Sequence, residues 1–146
     1  MASKFPEYKY GGKKSDYEIQ YQDAGSGRFF KSIVSARKQA IAYEYNYLKY
    51  NPTRDARGDV RTWKHQVCYI DAYNFHKYKP EGTSLTYRQQ SGKPKTIGYV
   101  LIRNDSKTDN KDVIFWVDKV KKADSRVINK EGQVVRKLTK EERAWF

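Results

Sequence analysis

The chain is poor in the residues that catalytic centres and disulfide scaffolds are built from, with one cysteine and two histidines among 146 residues. A lone thiol, Cys68, excludes an internal disulfide. Together with His65 and His76 it is still short of a four-ligand Cys/His zinc site. No run approaches the roughly 18 to 20 consecutive apolar residues of a membrane span, and Met1 to Lys14 lacks the apolar block of a signal peptide. The expectation is therefore a soluble, intracellular protein of the cytoplasm, or one carried with a virion, with no metal, no cofactor and no membrane partner.

Rings and positive charge are abundant instead. Thirteen tyrosines accompany a formal net charge of +13. Lysine and arginine neutralise phosphates and release their counterions, and tyrosine faces stack on bases, so the pairing suits a polyanion. A mean hydropathy of −1.00 leans toward disorder. Against that, 15 % aromatic residues supply the apolar surface for a core, and the length suits one domain. The charge is uneven: residues 28–64 hold nine basic side chains against three acidic, and residues 119–146 hold nine against four.

Residues 1–14, with Pro6 and the pair Gly11-Gly12, show no helical or strand period and read as a flexible basic arm. Residues 15–146 read as a single α+β domain. Tyr17 to Tyr21 and Arg28 to Val34 form a hairpin across the turn Asp23-Ala24-Gly25-Ser26-Gly27. Ser35 then caps a helix over residues 36–50, stopped by Asn51-Pro52 because a residue before proline avoids helical angles. Ile41, Tyr45 and Leu48 follow one apolar stripe of that helix. Tyr43, Tyr47 and Tyr50 follow a second, which is either the margin of a wide buried face, the commoner use of such stripes, or a set of rings offered to a partner.

A polar connector, Pro52 to Val60, leads into a long alternating strand over residues 62–75. Cys68, Ile70 and Ala72 lie on one of its faces and Val67, Tyr69, Tyr73 and Phe75 on the other, as expected of a central strand. Further strands are expected at 97–103, 113–120, 126–129 and 133–138, the last two joined across Asn129-Lys130-Glu131-Gly132. Thr139-Lys140-Glu141-Glu142 has the spacing of a capping box and opens a short carboxy-terminal helix. Seven strands and one main helix without βαβ alternation predict a mostly antiparallel, curved sheet packed on that helix, with a partly closed barrel as one way of finishing it.

Nothing in this pattern marks a reaction. Cys68 sits mid-strand among apolar neighbours, where a thiol is an inert core residue. His65 and His76 would point to opposite faces of an unbroken strand. Asp71, with Asp112 and Asp118, is the nearest approach to a metal-binding carboxylate set, but a carboxylate among aromatic residues more often meets a hydroxyl or an arginine. Gly11-Gly12-Lys13-Lys14-Ser15 lacks the first glycine and the preceding strand of a phosphate loop.

The sequence thus points to a non-enzymatic, basic nucleic-acid-binding protein, for RNA or DNA. Lys9, Lys13, Lys14, Arg37, Lys38, Arg54, Arg57, Arg61 and Lys64 are its candidate phosphate contacts, and Tyr43 and Tyr47 its stacking rings. The competing reading is a structural or interaction protein, either a virion or other assembly component or a small inhibitor docking on an acidic surface of a larger enzyme. Sequence preference, oligomeric state and pathway have no signature in the chain.

Overall fold

The computed structural model describes residues 5–50, 66–104 and 112–144. In chain order these form β1 (Tyr17–Asp23), β2 (Phe29–Phe30), α1 (Ile33–Tyr50), β3 (Gln66–Tyr78), β4 (Tyr87–Gln90), β5 (Lys95–Asn104), β6 (Asp112–Asp118), β7 (Arg126–Ile128), β8 (Val134–Lys137) and α2 (Lys140–Arg143). Every strand pairing is antiparallel, in the order β2-β1-β3-β5-β6-β7-β8, with β4 beside the far end of β3. The α+β architecture is the expected one. The sheet remains open, ending at β2 and β8 among the described residues, so no barrel closes.

Two local differences from the sequence reading have simple causes. Helix α1 begins earlier than predicted because Ser32, not Ser35, caps it: the Ser32 hydroxyl accepts from the Val34 amide at 3.1 Å, and the Ala36 amide donates to the Ser32 carbonyl. This early start shortens β2 to two residues. The eighth strand, β4, reads Tyr-Arg-Gln-Gln and has no alternation to announce it. It forms because β3 outruns β5, and the backbone groups of Phe75 to Tyr78 take Tyr87 to Gln90 as their partners.

Helix α1 covers one face of the sheet. Its contact stripe is Ala36, Arg37, Ala40, Ile41 and Glu44, all buried, with Ile33 and Tyr45 at the margin. The two alanines let the helix lie close over Cys68, Ile70, Ala72, Ile97, Val100, Ile102 and Trp116. Gly98 serves the same packing, since a Cβ there would stand 2.5 Å from the Trp116 ring and 2.6 Å from the Val117 carbonyl oxygen. The Asn129–Gln133 turn tucks under the start of the helix. There Gly132, at φ +83°, has the Val34 carbonyl oxygen 2.5 Å from where a Cβ would be, so the turn needs glycine for both conformation and space.

The opposite face carries a second cluster, Leu101, Phe115, Val117 and Val127, with Leu138 from the carboxy-terminal segment packed against it. The capping box at Thr139 forms as predicted, the Thr139 hydroxyl accepting from the Glu142 amide and the Glu142 carboxylate from the Thr139 amide. That carboxylate also takes a two-pronged pair from Arg136 at 2.6 and 3.0 Å. Trp145 and Phe146 lie outside the described residues.

The amino-terminal segment, expected from sequence to be a loose arm, is laid against the sheet from Phe5 onward. Pro6 is buried, and the Glu7 carbonyl accepts from the Ser91 hydroxyl at 2.6 Å and the Asn74 side-chain amide at 3.3 Å. The Lys9 amide donates to the Ser91 hydroxyl, and the Tyr17 hydroxyl bridges the Tyr10 amide and the Gly11 carbonyl. These bonds fill the gap between β4 and β5, where the Ser91 amide still donates to the Asn74 carbonyl of β3 at 2.7 Å before the chain leaves the sheet.

Two stability measurements test this packing. Ile41→Ala should cost about 2–5 kcal/mol in denaturant unfolding, and a negligible loss would contradict a helix that faces the sheet through Ile41. The Arg136 hydrogen bond, reinforced by Thr139 against the opposing effect of burial, holds the Glu142 carboxyl below its usual range. Because the folded-state pKa is depressed, its contribution is present above the unfolded value of about 4.3 and is lost as pH falls through the lower folded value. Glu142→Gln should accordingly be less stable at neutral pH and lose less on acidification than the parent. Parallel pH profiles would contradict the assignment.

Candidate nucleic-acid interface

The structure disperses the cationic residues that the sequence grouped together. Lys9, Lys13 and Lys14 are exposed on the amino-terminal segment, beside β1, β3 and β4. Lys38 is exposed on α1 at the far side of the sheet order, where its amide would stand 3.0 Å from a Cβ on Gly132 in the β7–β8 turn. Arg54, Arg57, Arg61 and Lys64 lie outside the described residues, as does His65.

Arg37 is placed quite differently from the surface position expected of it. It is buried, its guanidinium 4.6 Å above the Trp116 ring and donating to the Gly132 carbonyl at 3.3 Å, while its Nε makes no hydrogen bond. Burial lowers its pKa, and the nearby Asp118 opposes that shift. Such a group holds the helix to the sheet and is unavailable to a phosphate. The sequence carries a signal for this, because Arg37 is four residues before Ile41 and so falls on the buried stripe.

The tyrosine stripe on α1 is more exposed than the commoner use of such stripes implies: Tyr43 is 37 % and Tyr47 47 % accessible. Tyr43 lies over the β1–β2 turn, its ring 2.4 Å from where a Cβ on Gly25 would be. That turn is closed by Asp23, which accepts from the Gly25 and Ser26 amides and from the Ser26 hydroxyl. The Cys68 thiol sits behind it, 3.5 Å from the Asp23 carboxylate. Burial, with the neighbouring Asp23 and Glu44, pushes its pKa up to about 12, which leaves no thiolate near neutral pH.

A larger aromatic surface lies on the face of the sheet turned away from α1. Alternation along β3 sends Tyr69, Asp71, Tyr73, Phe75 and Lys77 to that side. Phe29 joins them from β2, in edge contact with Tyr73 at 4.9 Å and Phe75 at 5.8 Å, while Tyr73 and Phe75 stack at 5.9 Å. Farther along β3, Tyr69 meets Tyr99 at 5.4 Å, and Lys119 places its ammonium 5.5 Å from the Tyr69 ring centre. Phe29 and Tyr69 are 43 % and 45 % accessible, and Tyr73, Phe75 and Tyr99 are half-buried. Burial raises the pKa of Tyr99, which keeps its hydroxyl protonated.

Polar groups on this face are largely committed to one another. Tyr73 donates to the Gln22 side chain, and Asp71 accepts from the Thr96 hydroxyl at 2.7 Å, the hydroxyl contact expected of a carboxylate in this company. Glu18 holds Arg88 at 2.7 Å and Lys31 at 3.4 Å. Burial alone would raise its carboxyl, but hydrogen bonds from Gln20 and Arg88 and the charges of Arg88 and Lys31 outweigh that and hold it below the usual range. Among the described residues, no three His, Cys, Asp or Glu side chains converge as a metal site, and no helix is long and apolar enough to cross a membrane.

No family model matches the chain, and no curated protein or solved structure matches it either.

The candidate stacking rings predicted from sequence are those of the helix, whereas the broader ring surface belongs to β3. The alternation of β3 is legible in the sequence, but whether anything covers that face depends on which side α1 takes. The placement of Arg37 is open to direct test. Arg37→Ala should lose about 2 kcal/mol of stability through the lost hydrogen bond and ring contact, while Lys38→Ala changes stability little. Equal unfolding midpoints for the two variants would refute the structural role.

Proposed function

We propose that this domain binds single-stranded nucleic acid without catalysis, using the aromatic face of the sheet as a stacking platform and basic side chains around it as phosphate contacts. The observation that carries this reading is the run of outward rings along β3, Tyr69, Tyr73 and Phe75, extended by Phe29 and Tyr99 and left partly open to solvent. Bases have π-faces of their own, so such a row accepts them irrespective of sequence, whereas a duplex keeps its bases stacked within. Lys119 at one end of the row and Lys77 at the other supply charge where a strand would enter and leave. Asp71 within the row disfavours a phosphate there, which supports bases over the rings and phosphates along the margins. The exposed Lys9, Lys13, Lys14, Tyr43 and Tyr47 would extend the contact to longer strands.

One observation favours a second reading, that of an interaction protein within an assembly or on a larger enzyme. Strand β8 ends the sheet with Val134 and Val135 55 % and 57 % accessible, and an edge of this kind accepts a further strand from another chain.

Fluorescence anisotropy with labelled single-stranded RNA, single-stranded DNA and duplex DNA, at several salt concentrations, separates the two. The nucleic-acid reading expects preference for single strands and a steep salt slope. Tyr69→Ala and Phe29→Ala should each weaken binding by about 1–3 kcal/mol, or roughly 5- to 150-fold, without a matching loss of stability. Absence of binding at physiological salt, or affinity indifferent to both substitutions, would favour the β8 edge as the working surface.

A further inference from the structure

At one corner of the aromatic face lies a cleft of about 520 Å³ to which neither the stacking platform nor the core assigns a task. Four cationic side chains line it, Lys31, Lys77, Lys79 and Arg88, against two carboxylates, Asp16 and Glu18. The carboxylates are already engaged. Asp16 accepts from the Lys13 amide at 2.9 Å, and Glu18 is shared between Arg88 and Lys31.

Two further features define what the cleft can take. Lys77, near the end of β3, and Lys79, just beyond it, both line the cleft. The cleft therefore carries a surplus of two positive charges. Ser15, Tyr78 and Thr86 complete the lining; the Tyr78 ring itself turns to the other side of β3, stacked on His76 and Tyr87.

We infer that this cleft binds a phosphomonoester dianion, either as the terminal phosphate of a nucleic-acid strand or as a free mononucleotide. Charge balance selects the monoester. A backbone phosphodiester carries one negative charge, whereas a terminal phosphate carries about −1.5 to −2 at neutral pH and three strong acceptor oxygens. Lys77 and Lys79 hold the phosphate oxygens, and Arg88 remains fixed by Glu18 at the rim. Position supports the strand source, because Lys77 is the next outward residue of β3 after Phe75. A chain stacked along Tyr69, Tyr73 and Phe75 would thus deliver its end into the cleft. That half of the inference rests on the proposed stacking function, whereas binding of the small dianion does not.

The test has two arms. In the first, amide resonances of the full chain are followed during titration with phenyl phosphate, a monoester, and with methyl phenyl phosphate, the corresponding diester. The monoester should shift Lys77 to Lys79 and Thr86 to Arg88 at concentrations where the diester does not, and the response should vanish in the Lys77→Gln/Lys79→Gln double variant. Equal responses to the two probes, no response, or a response that survives the double substitution would overturn the cleft assignment.

In the second arm, oligonucleotides of one sequence carrying a 5′-phosphate, a 3′-phosphate or neither are compared. A phosphate on one end should raise affinity roughly tenfold in the parent and not in the double variant, given two charge-assisted contacts partly screened by solvent. No gain from either phosphate would exclude the strand end as the source. If oligonucleotides fail to bind while phenyl phosphate still does, the stacking function falls and the cleft stands as a mononucleotide site. If unphosphorylated strands bind and phenyl phosphate gives no response, the cleft falls and the stacking function is untouched.

Discussion

Everything in this fold depends on the strict two-residue alternation of β3. Successive residues of a strand cannot share a face, so each position is committed either to the helix side or to the open side. Cys68, Ile70, Ala72 and Asn74 are all buried on the helix side. Of the residues between them, Tyr69 and Tyr73 carry rings and Asp71 does not, and among the described residues they emerge where no helix packs. A slip of one residue would place Tyr69 and Tyr73 beneath Ala36 and Ala40, where there is room only for small side chains. The same alternation that closes the core therefore builds the aromatic surface.

The basic character of the chain is divided in a comparable way between holding the fold together and facing outward. Arg37 is committed to the interior, over Trp116, and Arg136 and Arg88 are each bonded to a carboxylate, Glu142 and Glu18. Lysines, in contrast, predominate among the outward charges: Lys9, Lys13, Lys14, Lys38, Lys79, Lys119 and Lys130 are all exposed. This follows from the chemistry of the two cations. The planar guanidinium makes directed, two-pronged bonds and tolerates partial desolvation, while the ammonium is strongly hydrated and serves as a mobile point charge.

Much of the architecture could be read from residue pattern because its signals are local. The alternation of β3, the apolar runs of β5 and β6, the turn at Asn129 to Gly132 and the Thr139 capping box each lie within a few consecutive residues. What escaped reading depends on neighbours distant in sequence. Strand β4 exists only because β3 projects past β5. Ser32 displaced Ser35 as the cap because two serines three residues apart offer equivalent hydroxyls, and packing of the helix start on Gly132 favours the earlier one. The candidate site was the least legible part. Charge and ring counts identify a class of partner, but they contain no statement of which face is covered, and Arg37 shows how a cation can be drawn into the interior by its register with Ile41.

The seam between β4 and β5 has a consequence for how this chain acquires its structure. The Glu7 carbonyl is bonded to Ser91, a residue 84 positions later. During synthesis the segment around Pro6 and Glu7 leaves the ribosome long before its docking site has been made. It must wait, unpaired, while the strands that frame its berth are still being added, and closing so long a loop carries an entropic cost that only the finished sheet offsets. The earliest part of the described chain is thus a late arrival in the fold, a latch set after the door has been hung.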